Sequence, residues 1–221
     1  ICARGKADLN AAVAGMRARG VNVWGVALDL SDGPAIDAFV AGAASELGAI
    51  DVAISNVSAL TLTDDESAWR AMFELDMLGT VRLFAAAQSY LTAAAARSGD
   101  AAFTIISSIV AAEPYKASPY SALKAALINY AKGVARANAP AGLRCNVVSP
   151  GNVYFEGGVW ERLEKEKPEF FNGWIAKNPT GRMATVQEIA SATVFLSSPR
   201  SSFTTGVNLV VDGCLTQRAS Y

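Results

Sequence analysis

The chain has 221 residues, 52% of them hydrophobic, a formal net charge of −1 and no histidine. That is apolar material for one sizeable core and one domain spanning residues 1–221, while a near-neutral chain with no basic run and no apolar stretch near ~18 residues argues against nucleic acid and membrane as partners. Without histidine there is no Ser-His-Asp or Cys-His triad, and no metal site is expected.

In chain order, Ile1-Cys2-Ala3 reads as the end of a strand. Lys6 to Arg19 is helical, with Leu9, Val13 and Met16 at helical spacing and Gly20 as its stop. Val21 to Leu28 is the next strand. Asp29-Leu30 follows it, and Ser31-Asp32-Gly33-Pro34 opens a helix, with Pro34 suited to its first turn. Asp51 to Ser55 is another strand, followed by the short polar turn Asn56-Val57-Ser58. Asp64 to Ala96 is a long helical region, broken near Gly79 and rich in buried-type residues such as Trp69, Met72, Leu75 and Val81. An apolar run, Ala102 to Ile106, ends in the hydroxyls Ser107 and Ser108. A helix from Ala125 to Ala139 leads to a second run, Cys145 to Ser149, closed by Pro150-Gly151.

Residues 154–176 are rich in aromatics (Tyr154, Phe155, Trp160, Phe170, Phe171, Trp174) around a charged run, Glu161 to Glu169, that reads as a solvated helix face. A helix from Thr185 to Leu196 and a last strand ending in Asp212-Gly213 follow. Apolar strands alternating with helices predict an α/β fold with a parallel sheet. Cys2, Cys145 and Cys214 share no CxxC spacing and read as packing residues in a reducing, cytoplasmic compartment.

The chemistry centres on Ser118-Pro119-Tyr120-Ser121-Ala122-Leu123-Lys124. Tyr120 and Lys124 are four apart, hence on one helix face. A free tyrosine, with a pKa near ~10, is a poor acid–base group at neutral pH, and a neighbouring ammonium pulls that value down. Such a pair occurs easily by chance, and it is the surrounding order that gives it weight. Strand, serine, loop, Tyr-helix, strand and Pro-Gly succeed one another.

With that order, and with the closing Asp212-Gly213, the chain resembles the short-chain dehydrogenase/reductase family, in its single-domain ketoreductase-like branch, from residue 1 to about Gly213. The resemblance implies a Rossmann-like, doubly wound parallel sheet in three layers. On that pattern the strand at Ile1 is the second of the fold, and a first strand, glycine-rich turn and helix are expected ahead of the sequence given. Without them the strands at Ile1 and Asp51 have no common neighbour.

The resemblance also implies site roles. Ser108 would donate to the substrate carbonyl oxygen; a spacing of thirteen from Tyr120 would instead pick Ser107, and the Ser-Ile-Val-Ala turn favours Ser108. Tyr120 would donate the proton, and Lys124 would tune it and hold the nicotinamide ribose. Asp76 stands where relatives carry Asn and joins the catalytic set through its backbone carbonyl or its charge. Arg4, after Ala3, favours NADP(H) over NAD(H), since nothing there repels a 2′-phosphate. Asp29, Leu30, Asn56, Val57, Pro150, Gly151 and Val153 complete the cofactor contacts. Ser55 and Ser58 depart from the family pattern. Residues 154–176 would form a substrate lid, or else an oligomer contact or plain core, and a homo-tetramer or homo-dimer would pair the helices near 64–96 and 120–139. The expected activity is interconversion of a small-molecule carbonyl and a secondary alcohol; the alternative is a cofactor-binding regulator that kept the fold and lost the chemistry.

Overall fold

The computed structural model describes residues 1–219. Six strands, all parallel, lie in two sheets. β1 (Cys2–Ala3) pairs with β2 (Val26–Ala27). β3 (Val52–Ser55), β4 (Ala101–Ile106), β5 (Leu143–Pro150) and β6 (Asn208–Val211) form the second sheet in that order. Among the described residues no strand bridges β1 and β3. The expected strand from Val21 to Leu28 shortens to two paired residues, because a ladder needs a partner and only Cys2 and Ala3 supply one.

The helices are α1 (Lys6–Arg17), α2 (Gly33–Leu47), α3 (Glu66–Met72), α4 (Gly79–Ser98), α5 (Pro119–Asn138), α6 (Val159–Glu166), α7 (Pro168–Lys177) and α8 (Val186–Ser197). Their starts follow local chemistry. Asp32 accepts from Ala35 N–H at 3.1 Å, with Pro34 in the first turn of α2. Thr185 and Glu188 make a reciprocal capping box on α8. Ser118 caps α5, with Pro119 in its first turn, so α5 begins six residues before the expected Ala125. Tyr120 and Lys124 therefore occupy its first two turns.

The long helical region is interrupted by a wide π turn, Phe73–Leu78, directly before Gly79. Gly79 lets α4 run close under Leu30, where a Cβ would meet the Leu30 carbonyl at a tight 3.3 Å. The charged run that read as one helix face is two helices, since Pro168 halts α6 and starts α7.

Helices α4 and α5 cover one face of the larger sheet, with α2 packed on α4, and α8 covers the other. The core between them holds Phe103, Ile105, Leu143, Val147, Leu91 and Leu127, each at most 1% exposed. Burying each such side chain is worth roughly 1.5–3 kcal/mol. A small second cluster, Leu9, Val13 and Val23, lies under α1. Besides Asp76 and Lys124, one charged residue among the described residues is buried in the sheet. Arg144 of β5 forks onto Asp100 (Nε–Oδ1 2.6 Å, Nη2–Oδ2 3.0 Å) and donates to the Leu196 and Ser198 carbonyls and to Ser201 Oγ. It ties the foot of the sheet to the end of α8.

After β6, the Asp212 carboxylate gathers Cys214 N–H and Thr216. Beyond it, the Glu113 carboxylate accepts the N–H groups of Gln217 and Arg218, each at 2.9 Å. The tail is thus seated on the loop that follows Ser108.

Candidate active site

Parallel strands put their carboxyl ends along one edge, the usual place for a ligand in an open α/β sheet. Arg4 follows β1, Asp29 and Leu30 follow β2, Asn56 and Val57 follow β3, Ser107 and Ser108 follow β4, and Gly151 follows β5. The donor set fits a nicotinamide dinucleotide: a guanidinium, an ammonium, short polar side chains and exposed turn backbone. Arg4 is exposed. Asp29 accepts from the Ser31 backbone and hydroxyl, which hold its carboxyl below the usual range, with a smaller pull from Arg4. At Gly151 the chain passes so close to Asp212 that a Cβ would sit 2.8 Å from the Asp212 Cβ, so only glycine fits. Val153 pairs with Ala184 and frames the base of the α6–α7 hairpin.

The two serines separate clearly. Ser107 is buried, and its hydroxyl donates to the Lys124 carbonyl at 2.8 Å, clamping α5 to the end of β4. Ser108 holds only a long 3.4 Å contact with Val110 N–H, which leaves its hydroxyl free to act on the Tyr120 phenol, whose pKa it pulls down.

Lys124 is 3% exposed. Its ammonium donates to the Ile106 carbonyl at 3.1 Å, stands 3.2 Å from Asp76 Oδ1 and lies 5.7 Å from the Tyr120 ring centroid. Burial lowers its pKa and Asp76 opposes that by favouring the charged form. Asp76, on the π turn, has no exposed surface. Its Oδ2 accepts Ala59 N–H at 2.8 Å, and Oδ1 has no hydrogen-bond donor other than the off-axis ammonium. Its backbone carbonyl accepts the Thr80 hydroxyl at 2.7 Å, and that hydroxyl also meets Ser55 Oγ at 2.7 Å. Thr80 and the Ala59 turn were missed from the sequence. The only signal for Thr80 was its place four residues after Asp76, on the same helix face.

One expectation is reversed. The Tyr120 pKa lies above the ordinary tyrosine value, not below it. Burial is the largest cause; the Ser108 hydroxyl pulls it down, and the negative charge of Asp76 and the nearby Tyr115 push it up. The ammonium that should lower it is already matched by a carboxylate.

An aromatic cluster ties the loop ahead of α5 to α7. Tyr115, just ahead of α5, meets Trp174 of α7 edge-on at 6.1 Å. Trp174 also contacts Trp160 at 6.1 Å and Phe170 at 6.3 Å, and the Lys177 ammonium lies 4.4 Å from its ring centroid. Among the described residues there is no cluster of three or more His, Cys, Asp or Glu able to hold a metal, and no helix long and apolar enough to cross a membrane.

A parallel α/β sheet with Ser, Tyr and Lys gathered at its carboxyl edge is the arrangement of one large class of nicotinamide-dependent oxidoreductases. The enoyl-(acyl carrier protein) reductase family matches residues 1–216, and the chain belongs to the short-chain dehydrogenases/reductases. It is an enzyme acting on CH–OH groups, or the corresponding carbonyls, with NAD(P). It is 35% identical over 191 residues to isoepoxydon dehydrogenase patN of Penicillium expansum, covering 86% of this chain and 72% of that protein. It is 30% identical over 200 residues to the 3-oxoacyl-[acyl-carrier-protein] reductase FabG of Salmonella typhimurium, covering 88% and 78%. The NADPH-bound short chain oxidoreductase of Pseudomonas aeruginosa, described as containing an atypical catalytic centre, superimposes with a TM-score of 0.86 at 28% identity, over 99% of this chain and 86% of that one.

Proposed function

We propose that this enzyme interconverts a ketone on an apolar, ring-bearing small molecule and its secondary alcohol, with NADP(H) favoured over NAD(H). The observation that supports the reading is the Lys124 ammonium 5.7 Å from the Tyr120 ring centroid, at the carboxyl edge of the sheet where Ser108 ends β4. NADPH, when bound, supplies the hydride. Ser108 donates a hydrogen bond to the substrate oxygen as negative charge gathers on it. Tyr120 gives that oxygen its proton. Lys124 holds the nicotinamide ribose and the local charge. Arg4, with Ala3 before it, supports the preference for a 2′-phosphate.

Asp29, Leu30, Asn56, Val57, Pro150, Gly151 and Val153 line the cofactor's path in this reading. The chain works as one catalytic unit, with 154–176 as the lid whose aromatic cluster favours an apolar ring. Assembly into a dimer or tetramer pairs α4 and α5 across copies; the small outer face of α4 (Ala85, Ser89, Ala93, Ala96) supports close approach there. The unpaired cysteines suit a reducing, cytoplasmic compartment.

Tyr120→Phe tests the mechanism. It removes one oxygen and leaves the ring packed, so the fold should persist. Carbonyl reduction should fall roughly 10²–10⁴-fold. Near-normal NADPH oxidation with a ketone panel would overturn the assignment.

A further inference from the structure

The resemblance to relatives with Asn at this position does not explain what a carboxylate does there. Asp76 is wholly enclosed on the π turn: Oδ2 accepts the Ala59 N–H, while Oδ1 makes no hydrogen bond and is matched only by the charge of the Lys124 ammonium 3.2 Å away. The second ligand of that ammonium is the Ile106 carbonyl. Lys124 is therefore not an isolated positive charge beneath Tyr120. It is one half of a buried, charge-matched pair.

We propose that the Asp76 carboxylate, by occupying Lys124, sets this site to work as a carbonyl reductase at neutral pH and confines alcohol oxidation to alkaline solution. The proposal rests on the Tyr120 proton-transfer role argued above and adds the working direction. Asp76 touches neither reacting atom and so is a positioning residue, acting through Lys124 and Tyr120.

The chemistry follows from the two half-reactions. In reduction, the Tyr120 O–H bond breaks as the alcohol O–H forms, while the hydride supplied by the reduced nicotinamide becomes the new C–H bond. The carbonyl is reduced, the nicotinamide is oxidised, and the phenolate recovers its proton from solvent. Oxidation runs the same bonds backwards and needs the phenolate first. A phenol kept protonated is ready for the first direction and unready for the second.

The ionisable groups facing Tyr120 are Lys124 on its own helix, Asp76 from the π turn and Tyr115 from the preceding loop. Two of them oppose the phenolate, and the third is balanced by Asp76. Burial acts in the same sense as the two. The carboxylate is held in place independently of any ligand. Thr80 bonds the Asp76 carbonyl and meets Ser55, and the Ala59 turn ends in Leu60 at φ 50°, a left-handed conformation uncommon for leucine.

The test is Asp76→Asn. Asparagine keeps an oxygen for Ala59 N–H and nearly the same volume, but removes the charge beside Lys124. The first readout needs no activity. Tyrosinate absorbance is titrated in the cofactor-free protein, and the Tyr120 contribution is isolated by subtracting Tyr120→Phe. In the wild type, Tyr120 should ionise at or above the ~10 of free tyrosine. In Asp76→Asn the ammonium loses the carboxylate that offsets its burial but keeps the Ile106 carbonyl; with Lys124 still charged, the midpoint should fall by about one unit or more. The second readout is the pH profile of kcat/KM for alcohol oxidation, whose acid limb should fall by the same amount, giving about tenfold faster oxidation at neutral pH.

A wild-type Tyr120 that ionises near neutrality would overturn the proposal, whether or not the variant folds. So would an unmoved midpoint in a folded Asp76→Asn. Absence of all nicotinamide-dependent turnover in both proteins would instead sink the functional reading, while the titration still decides the role of Asp76.

Discussion

Exchanging the two adjacent serines for alanine, one at a time, should separate stability from catalysis. Ser107 is 3% exposed, and its hydroxyl donates to the Lys124 carbonyl at 2.8 Å. Ser107→Ala removes a buried hydrogen bond of the kind worth about 1 kcal/mol. For a chain of this length that lowers Tm by about 2–4 °C. Its hydroxyl is engaged by the Lys124 carbonyl, so kcat/KM should stay within a few-fold. Ser108 has only the 3.4 Å contact with Val110 N–H to lose, and Tm should hold within about 1–2 °C. What Ser108→Ala does lose is the donor aimed at the developing oxyanion. Removal of one such donor typically costs roughly 10²–10³ in rate, about 2.7–4 kcal/mol. Thermal melts and steady-state NADPH oxidation with a ketone substrate, run on both variants, give the four numbers. An inactive but fully stable Ser107→Ala, beside a normal Ser108→Ala, would refute the reasoning and exchange the roles.

Three further outcomes are expected. Ala3→Asp sets a carboxylate beside Arg4, where a 2′-phosphate would lie, and should turn the ratio of kcat/KM values from NADPH towards NADH; a wild type that already prefers NADH would contradict the assignment. Trp174→Ala removes the ring that joins Tyr115, Trp160 and Phe170, and should raise KM for bulky cyclic ketones while leaving kcat close to normal; equal KM changes for small and bulky substrates would argue against a lid. Arg144→Ala strands the Asp100 carboxylate and two carbonyls at the end of α8, and should cost about 3–5 kcal/mol in denaturant unfolding; a loss below about 1 kcal/mol would show the pair to be dispensable.

Much of the site was legible because its parts are set by short-range rules. The order of apolar runs and helices gave the parallel sheet, and Ser118-Pro119 is a helix start that puts Tyr120 and Lys124 one turn apart. Asp76 could be picked out as a departure, but its partner could not. Residues 76 and 124 are brought together by tertiary packing across a π turn, and helical periodicity does not announce a widened turn. For the same reason the Tyr120 shift was given the wrong sign: spacing revealed the nearby cation but not the carboxylate that matches it. The 161–169 run was misread as one helix because its charges dominated the pattern, although Lys167-Pro168 marked the joint. Arg144 offered no signal at all, being one charge inside an apolar strand.

The bonds from Glu113 to Gln217 and Arg218 couple the stretch after β6 to the loop that follows Ser108. Glu113 stands five residues past Ser108 and grips the backbone of Gln217 and Arg218, while the Arg218 guanidinium reaches back to the Ala112 carbonyl at 3.4 Å. Pull on that stretch and the strain is handed to the loop linking the two hydroxyl-bearing ends of the site. A purification tag, a fused reporter or a proteolytic nick there is thus no neutral handle. An engineer wanting faithful kinetics should attach elsewhere, and one seeking altered kinetics has three tail positions, 216 to 218, to randomise without touching Ser108, Tyr120 or Lys124.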